Sequence, residues 1–243
     1  MKNLKTAVRN LEKETDRKKQ IEILQSVNKL LLTCYEIKVG DFTIEPLLVE
    51  AYYYCPGKFE DTNTHGFKSE KCRRGQSGRF GKLYVHKMGY GGIDICLSMR
   101  EDYCLSFLIK NSLVSKEGAA EENKKFCTQV SLLRYLKKEN SVGADIIEQK
   151  GVLCEKNKEA APVINTVRKG VKGNFKNEEL ASLPVDSLKD YPLTLEKGYT
   201  KEKITENYLK TYYADSSPDV WKKVSEEILG YSLNKVIREH FGI

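Results

Sequence analysis

Apolar positions over residues 3 to 33 recur with helical spacing. Leu4, Val8 and Leu11 make a short stripe, and Ile21, Leu24, Val27 and Leu31 a longer one, with Lys and Glu on the faces between. The pattern predicts two helices, the second capped by Thr15 or Asp16. After the turn signal Gly40-Asp41 the period drops to two. Phe42 to Cys55 reads as a strand, Lys82 to Met88 and Ile93 to Ser98 as a hairpin around Gly89 to Gly92, and Cys104 to Val114 as a further strand. Residues 56 to 82 are rich in Gly, Lys and Arg without periodicity and read as a long loop. Helical spacing returns over Glu121 to Lys138, through Phe126, Val130, Leu133 and Leu136. Residues 139 to 185 are weakly patterned, with Val163 to Val167 as a strand candidate and Arg168 to Lys176 as a basic turn. The last 44 residues predict three helices: Thr200 to Ala214, one opened by Ser217 and Pro218, and Ser232 to His240.

This succession predicts an α+β fold, with a mainly antiparallel sheet between N-terminal and C-terminal helices. Residues 1–184 would form the core domain and 185–243 a helical appendage packed on it, with Trp221 and Ile228 in its interior. Within the first strand, PLLVEAYYYC, one position breaks the apolar run: Glu50. Alternation puts Glu50 on a face with Leu48, Tyr52 and Tyr54, and Leu47, Val49, Ala51 and Tyr53 on the other. A carboxylate on a buried face must be paired, hydrogen-bonded or raised in pKa, and each of these prepares it for chemistry. At a sheet edge it would merely be solvated.

Composition narrows the class. In 243 residues, 40% hydrophobic and 31% charged with 14 tyrosines, the balance is that of a globular protein rather than a disordered one. The net charge of +7 makes a polyanion a reasonable partner. That charge is concentrated: Lys68, Lys71, Arg73, Arg74, Arg79 and Lys82 face only Glu70 between residues 68 and 82. A second group holds Arg168, Lys169, Lys172 and Lys176. Interspersed glycines would let backbone approach phosphate in the first. Seven cysteines, an odd number with no CxxC pair, offer neither a disulfide framework nor a zinc ribbon. Cys55, His65, Cys72 and His86 match no usual zinc spacing, so no metal is expected. The charged N-terminus lacks a leader's apolar core and no run reaches membrane-spanning length; the expectation is a cytoplasmic protein without a membrane partner.

Glu50-Ala51-Tyr52, Asp61 with His65, Leu83-Tyr84-Val85, Tyr90-Gly91 and Phe107 to Lys110 follow one another in an order that resembles that of the alkyladenine (3-methyladenine) DNA glycosylase family. Glu50-Ala51-Tyr52 resembles the family's Glu-Ala-Tyr at a strand end, whose glutamate activates water. Asp61 and His65 are spaced like its Asp-x-x-x-His, where the histidine belongs to the base pocket. Leu83-Tyr84-Val85 resembles its Leu-Tyr-Val-Tyr strand, with His86 standing where the last tyrosine would stack on the flipped base. Tyr90-Gly91 is similar to the hairpin Tyr-Gly whose tyrosine wedges into the duplex, and Phe107 to Lys110 to the strand ending Leu-Leu-Arg. The family's base-selecting asparagine has no counterpart at Cys96 or Leu97.

The resemblance implies a curved, partly barrel-like sheet and a monofunctional DNA N-glycosylase that needs no cofactor. Glu50 would be its catalytic base. Tyr52, His65, Tyr84 and His86 would bind the damaged base, and Tyr90, Arg73, Arg74, Arg79, Lys82, Lys110, Arg168, Lys169 and Lys172 the duplex. Two other readings stay open from the residues alone: a nucleic-acid-binding protein that keeps this fold without the reaction, and a helical protein-interaction module in which Glu50 is structural.

Overall fold

The first two helices, α1 (Lys2–Lys13) and α2 (Arg17–Cys34), bury the stripes that predicted them. Leu4, Val8 and Leu11 pack with Leu24, Val27 and Leu31 into the main apolar core. Asp16 rather than Thr15 caps α2, accepting from Lys19 N at 2.9 Å. The structure is a computed structural model that describes residues 1–86, 91–118, 123–156, 161–185, 188 and 200–243.

Ten strands follow: β1 (Tyr35–Val39), β2 (Phe42–Cys55), β3 (Phe59–Glu60), β4 (Lys82–Val85), β5 (Ile93–Cys96), β6 (Cys104–Lys116), β7 (Lys124–Phe126), β8 (Val152–Glu155), β9 (Val163–Thr166) and β10 (Ala181–Pro184). Their order is β4-β5-β6-β2-β1-β8, with antiparallel pairing throughout the described residues, and the sheet curls into a half-barrel. The fold is α+β with flanking helices. β2 is its spine. One edge pairs with β6 along its length, while the other is shared by β1 at Phe42–Ile44, β10 at Val49–Glu50 and β3 at Tyr54–Cys55. Pro46, which has no N–H to give, falls between the β1 and β10 segments of that shared edge.

Just past Pro46 the ladder between β2 and β6 is irregular: Pro46 faces Ser112, Leu48 faces Asn111 and Val49 faces Ile109. Leu47 and Lys110 are the two residues left over, one on each strand. Each extra residue reverses which parity of its strand points into the core. Before the irregularity Phe42, Ile44 and Val114 supply core side chains; after it Ala51, Tyr53, Ile109, Phe107 and Leu105 do. The reversal turns Glu50 away from the main core.

Helices cover the rest of the sheet. α3 (Glu70–Gln76) lies within the stretch expected to be a loop, along with β3 and a 3-10 turn at His65–Phe67. Its seven residues are too few to show a periodic stripe, but Ser69 caps it by accepting from Cys72 N at 3.2 Å. The helix expected over Glu121 to Lys138 is shorter than its pattern. Phe126 belongs to β7, opposite Ser112, and α4 (Gln129–Arg134) starts only after the Thr128 cap, running on into a wider turn at Tyr135–Glu139. α5 (Ala144–Lys150), β8 and β10 had no sequence expectation.

The C-terminal helices are α6 (Lys201–Tyr212), α7 (Pro218–Leu229) and α8 (Asn234–Phe241), near their expected bounds. Ile204, Tyr208 and Ile228 share an apolar cluster with Leu48, Ile164 and Leu183, so α6 and α7 rest on β9, β10 and the start of the β2 core-averted face. Trp221 is fully buried and donates Nε1–H to Tyr213 O at 2.7 Å. Among the described residues no helix is long and apolar enough to cross a membrane.

Candidate functional site

The sheet register lines up four residues across four strands. Glu50 on β2 faces Leu108 on β6, Leu108 faces Asp94 on β5, and Asp94 faces Tyr84 on β4. Directly opposed residues share a face, so two acids stand on one side of the sheet with Leu108 between them, about 10 Å apart at two strand spacings. Both are almost wholly buried: Glu50 is 2% exposed and Asp94 1%. A cavity of about 510 Å³ opens over this row.

Glu50 lies under the cavity wall, held by three residues that line it. Tyr52 donates its hydroxyl to Oε2 at 2.7 Å, Lys169 N donates to Oε1 at 3.2 Å, and Lys110 Nζ lies 3.7 Å from the same oxygen. Lys110 reaches there because it is the residue left over on β6. Burial, reinforced by the neighbouring Glu50 carboxylate, pushes the Tyr52 hydroxyl pKa well up and keeps the proton on the ring oxygen.

Rings form the facing wall. His65, on the 3-10 turn, and His86, one residue beyond β4, lie 4.2 Å apart between centroids. His65 Nε2 sits 3.2 Å from Cys72 Sγ on α3. Burial, and then the neighbouring His86, push the His65 pKa down to about 4. Burial works on His86 in the same direction, but the Asp94 carboxylate outweighs it and holds that imidazole above its ordinary value. His86 Nε2 is 3.0 Å from Asp94 Oδ2, an ion-pair contact out of line for a hydrogen bond. Gln76, fully buried, ties these pieces together. Its amide nitrogen donates to Asp94 Oδ2 and, at 3.2 Å, to Ser106 Oγ, while its oxygen accepts from Gly66 N at 2.7 Å. A Cβ on Gly66 would overlap Cys104 Sγ and come within 2.9 Å of that same Gln76 oxygen.

The floor is locked from below. Arg168 donates to Asp61 Oδ2 at 2.5 Å and to Ala51 O at 2.9 Å, and its guanidinium lies 4.5 Å from the Tyr52 ring centroid. Asn63 fills the other Asp61 oxygen through its backbone N at 3.1 Å and its side-chain N at 2.9 Å, and exchanges two hydrogen bonds with the Lys172 backbone. Two segments a hundred residues apart are thereby clamped, and the clamp presents Lys169 N to Glu50.

Of the residues expected to bind a base, Tyr52, His65 and His86 line the cavity. Tyr84 does not. Its ring lies behind the histidines against the Gly75 backbone, where any Cβ would overlap it. Among the expected duplex contacts, Arg73, Arg74, Lys82, Lys169 and Lys172 are exposed, whereas Arg79 is half-buried with Nη1 donating to Gly75 O at 3.3 Å. Arg74 is paired with Glu70. Lys110 turns inward to Glu50 rather than outward. Arg168 corrects its expectation outright: at 1% exposure it cannot meet a phosphate. Tyr90 and most of its hairpin turn, with Met88 and Gly89, lie outside the described residues.

Sequence reasoning missed Asp94, Gln76 and Asn63 as parts of the site, while Lys68, counted in the first basic cluster, stands on its rim. Alternation along Ile93 to Ser98 puts Asp94 opposite the apolar Ile93 and Ile95, the same kind of signal that singles out Glu50. Among the described residues no three potential ligands group closely enough for a metal ion. No family model matches the chain, and no curated protein is similar to it.

Proposed function

We propose that the chain is a distant DNA-3-methyladenine-glycosylase-like hydrolase. It would cleave the N-glycosidic bond of a damaged base flipped out of duplex DNA, with Glu50 activating water. One observation carries the reading: Glu50, Tyr52, His65, His86 and Lys110, scattered over sixty residues of sequence, converge on one cavity rimmed by Lys68 and Lys169. A flipped base enters between the Tyr52 ring and the imidazole wall, each stacked face contributing roughly 1–3 kcal/mol. Arg168 beneath Tyr52 fixes the plane of that ring. A carboxylate offers about four lone-pair positions, and three donors approach Glu50, which leaves one for a water. As the C1′–N bond lengthens, Glu50 orients that water and takes its proton while the oxygen bonds to C1′. The seven cysteines, all free, fit the reducing cytoplasm as its compartment.

Glu50→Gln keeps the shape and removes the base. Release of a damaged base from duplex DNA should fall by about two to four orders of magnitude, with binding of the duplex retained. Undiminished release by this variant would rule out Glu50 as the base. A second reading has its own observation: the Glu50 carboxylate touches cavity residues without itself forming the cavity surface. In that reading the protein holds an extrahelical base without cleaving it, and the wild-type chain binds the duplex but leaves no abasic site.

A further inference from the structure

Hydrolysis of the N-glycosidic bond leaves a sugar whose C1′ carries a hydroxyl and whose ring opens to an aldehyde. That product forms beside an amine. Lys110 lines the cavity, and its Nζ lies 3.7 Å from Glu50 Oε1 on a side chain only 19% exposed. It points there because it is the extra residue of β6 at the irregularity, where Leu48 faces Asn111 and Val49 faces Ile109. The water that Glu50 orients must reach C1′, so the sugar carbon and the Lys110 amine meet at the same carboxylate. Lys68 and Lys169 also line the cavity, but they are exposed at its rim. Lysine at this position is itself a departure, since the strand it ends resembles one ending Leu-Leu-Arg. A guanidinium holds a carboxylate but stays charged and does not add to an aldehyde. A primary amine does both.

Resting on the hydrolase reading above, we infer that Lys110 is the nucleophile of a second reaction, cleavage of the DNA strand at the abasic sugar through an imine. The resemblance implies an enzyme that stops at the abasic site, and Lys110 carries this chain past it. The atoms balance without any co-reactant. Solvent first returns Glu50 to its carboxylate. The Lys110 ammonium then passes one proton to Glu50, and its nitrogen lone pair bonds to C1′ of the open aldehyde. The former carbonyl oxygen takes a second proton from that nitrogen and the first back from Glu50. It leaves as water, so that C1′ and Nζ are joined as an iminium. The iminium draws electrons away from C2′. Glu50, again a carboxylate, takes a proton from C2′, the C–H pair becomes the C2′=C3′ double bond, and the C3′–O bond breaks with its electrons on the departing phosphate. Water adds to the iminium and frees Lys110, leaving an unsaturated aldehyde on one strand end and a phosphate on the other. Nothing is oxidised or reduced. Lys169 N, which donates to Glu50 Oε1 at 3.2 Å, keeps the carboxylate aimed through both reactions.

A duplex with one preformed abasic site tests the second reaction apart from the first. In sodium cyanoborohydride, wild type should give a covalent protein–DNA product, and peptide mass spectrometry should place the reduced link on Lys110. Without reductant the same duplex should be nicked at the abasic site, leaving the unsaturated aldehyde end. Lys110→Arg keeps a charge beside Glu50 and has no amine to condense, so in the folded variant, checked by its thermal midpoint, both the covalent product and the nick should be lost. The wild-type mapping needs no variant. A link on Lys68, Lys169 or any other lysine in place of Lys110, or no link at all, overturns the inference, and so does a nick that survives in folded Lys110→Arg. A duplex holding a damaged base separates the two readings. If wild type releases that base but leaves the abasic strand intact and unlinked, only the second reaction falls. If wild type links the preformed abasic site through Lys110 yet releases no damaged base, the hydrolase reading falls and the imine chemistry stands.

Discussion

Two imidazoles 4.2 Å apart cannot both carry charge at little cost, and the protein resolves the conflict with one carboxylate. At His65 burial, and then His86, outweigh the upward pull of Asp94, whereas at His86 the Asp94 carboxylate 3.0 Å away outweighs burial, so the pKa values separate in opposite directions from the ordinary 6.5, His65 down to about 4 and His86 upward. His65 should therefore remain neutral through the physiological range and accept from the Cys72 thiol. Ring-proton NMR titration, with the three histidines assigned through His65→Gln and His86→Phe, should show one midpoint well below 6.5 and another above it. Two unshifted midpoints would mean that Asp94 does not reach His86 in solution. Residue by residue, the sequence was readable where chemistry stood alone on a patterned face, as Glu50 does among apolar neighbours. It was not readable for Arg168, which sits in RKGVKGNFK with the composition of an exposed turn. What buries Arg168 is Asp61, 107 positions upstream, and no local pattern encodes such a pairing. An arginine so enclosed stabilises the floor only while its partner is present.

At the scale of elements, the site depends on two irregularities. The extra residues Leu47 and Lys110 reverse strand parity so that Glu50 and Leu108 face the cavity while Ala51 and Phe107 face the core. Local alternation gave the right faces for residues 49 to 54 because these lie on one side of the irregularity. It could not have revealed the reversal, since Pro46 only hints at a break and Lys110 is unremarkable in FLIK. The second irregularity is the 3-10 turn carrying His65, missed within a supposed loop because three residues have no period. Its seating is steric. Gly66 presses on Cys104 Sγ and the Gln76 oxygen so closely that a methyl group has no room. Gly66→Ala should cost about 1–3 kcal/mol, read as a lower urea midpoint, and should slow base release by displacing His65. Cys104→Ala clears part of the overlap. In a double-mutant cycle the two changes should couple favourably, and strict additivity would show that the contact is not tight.

Across the whole molecule, cations from two segments flank the cavity. Lys68 is on the rim, Lys71 and Arg73 are exposed on α3 just beyond it, and Lys169 and Lys172 are exposed on the clamped segment opposite. Asp61 and Asn63 bind that segment to the turn carrying His65, so the basic segments sit at fixed positions about one opening. Fixed cations that meet phosphate release counterions on binding, and each such contact steepens the fall of affinity with salt by about 0.9 in a log–log plot for duplex DNA. Lys71→Gln with Arg73→Gln should therefore reduce the slope by about 1.8 and weaken binding most at low salt. Arg74, already paired with Glu70, should contribute less than either. Turnover of saturating duplex should hardly change, because neither side chain touches the cavity. Arg168→Gln should do the reverse, lowering thermal stability by leaving Asp61 unpaired while the folded fraction keeps the wild-type slope. An unchanged slope in the double variant would move the duplex off α3, and with it the path by which a flipped base reaches Glu50.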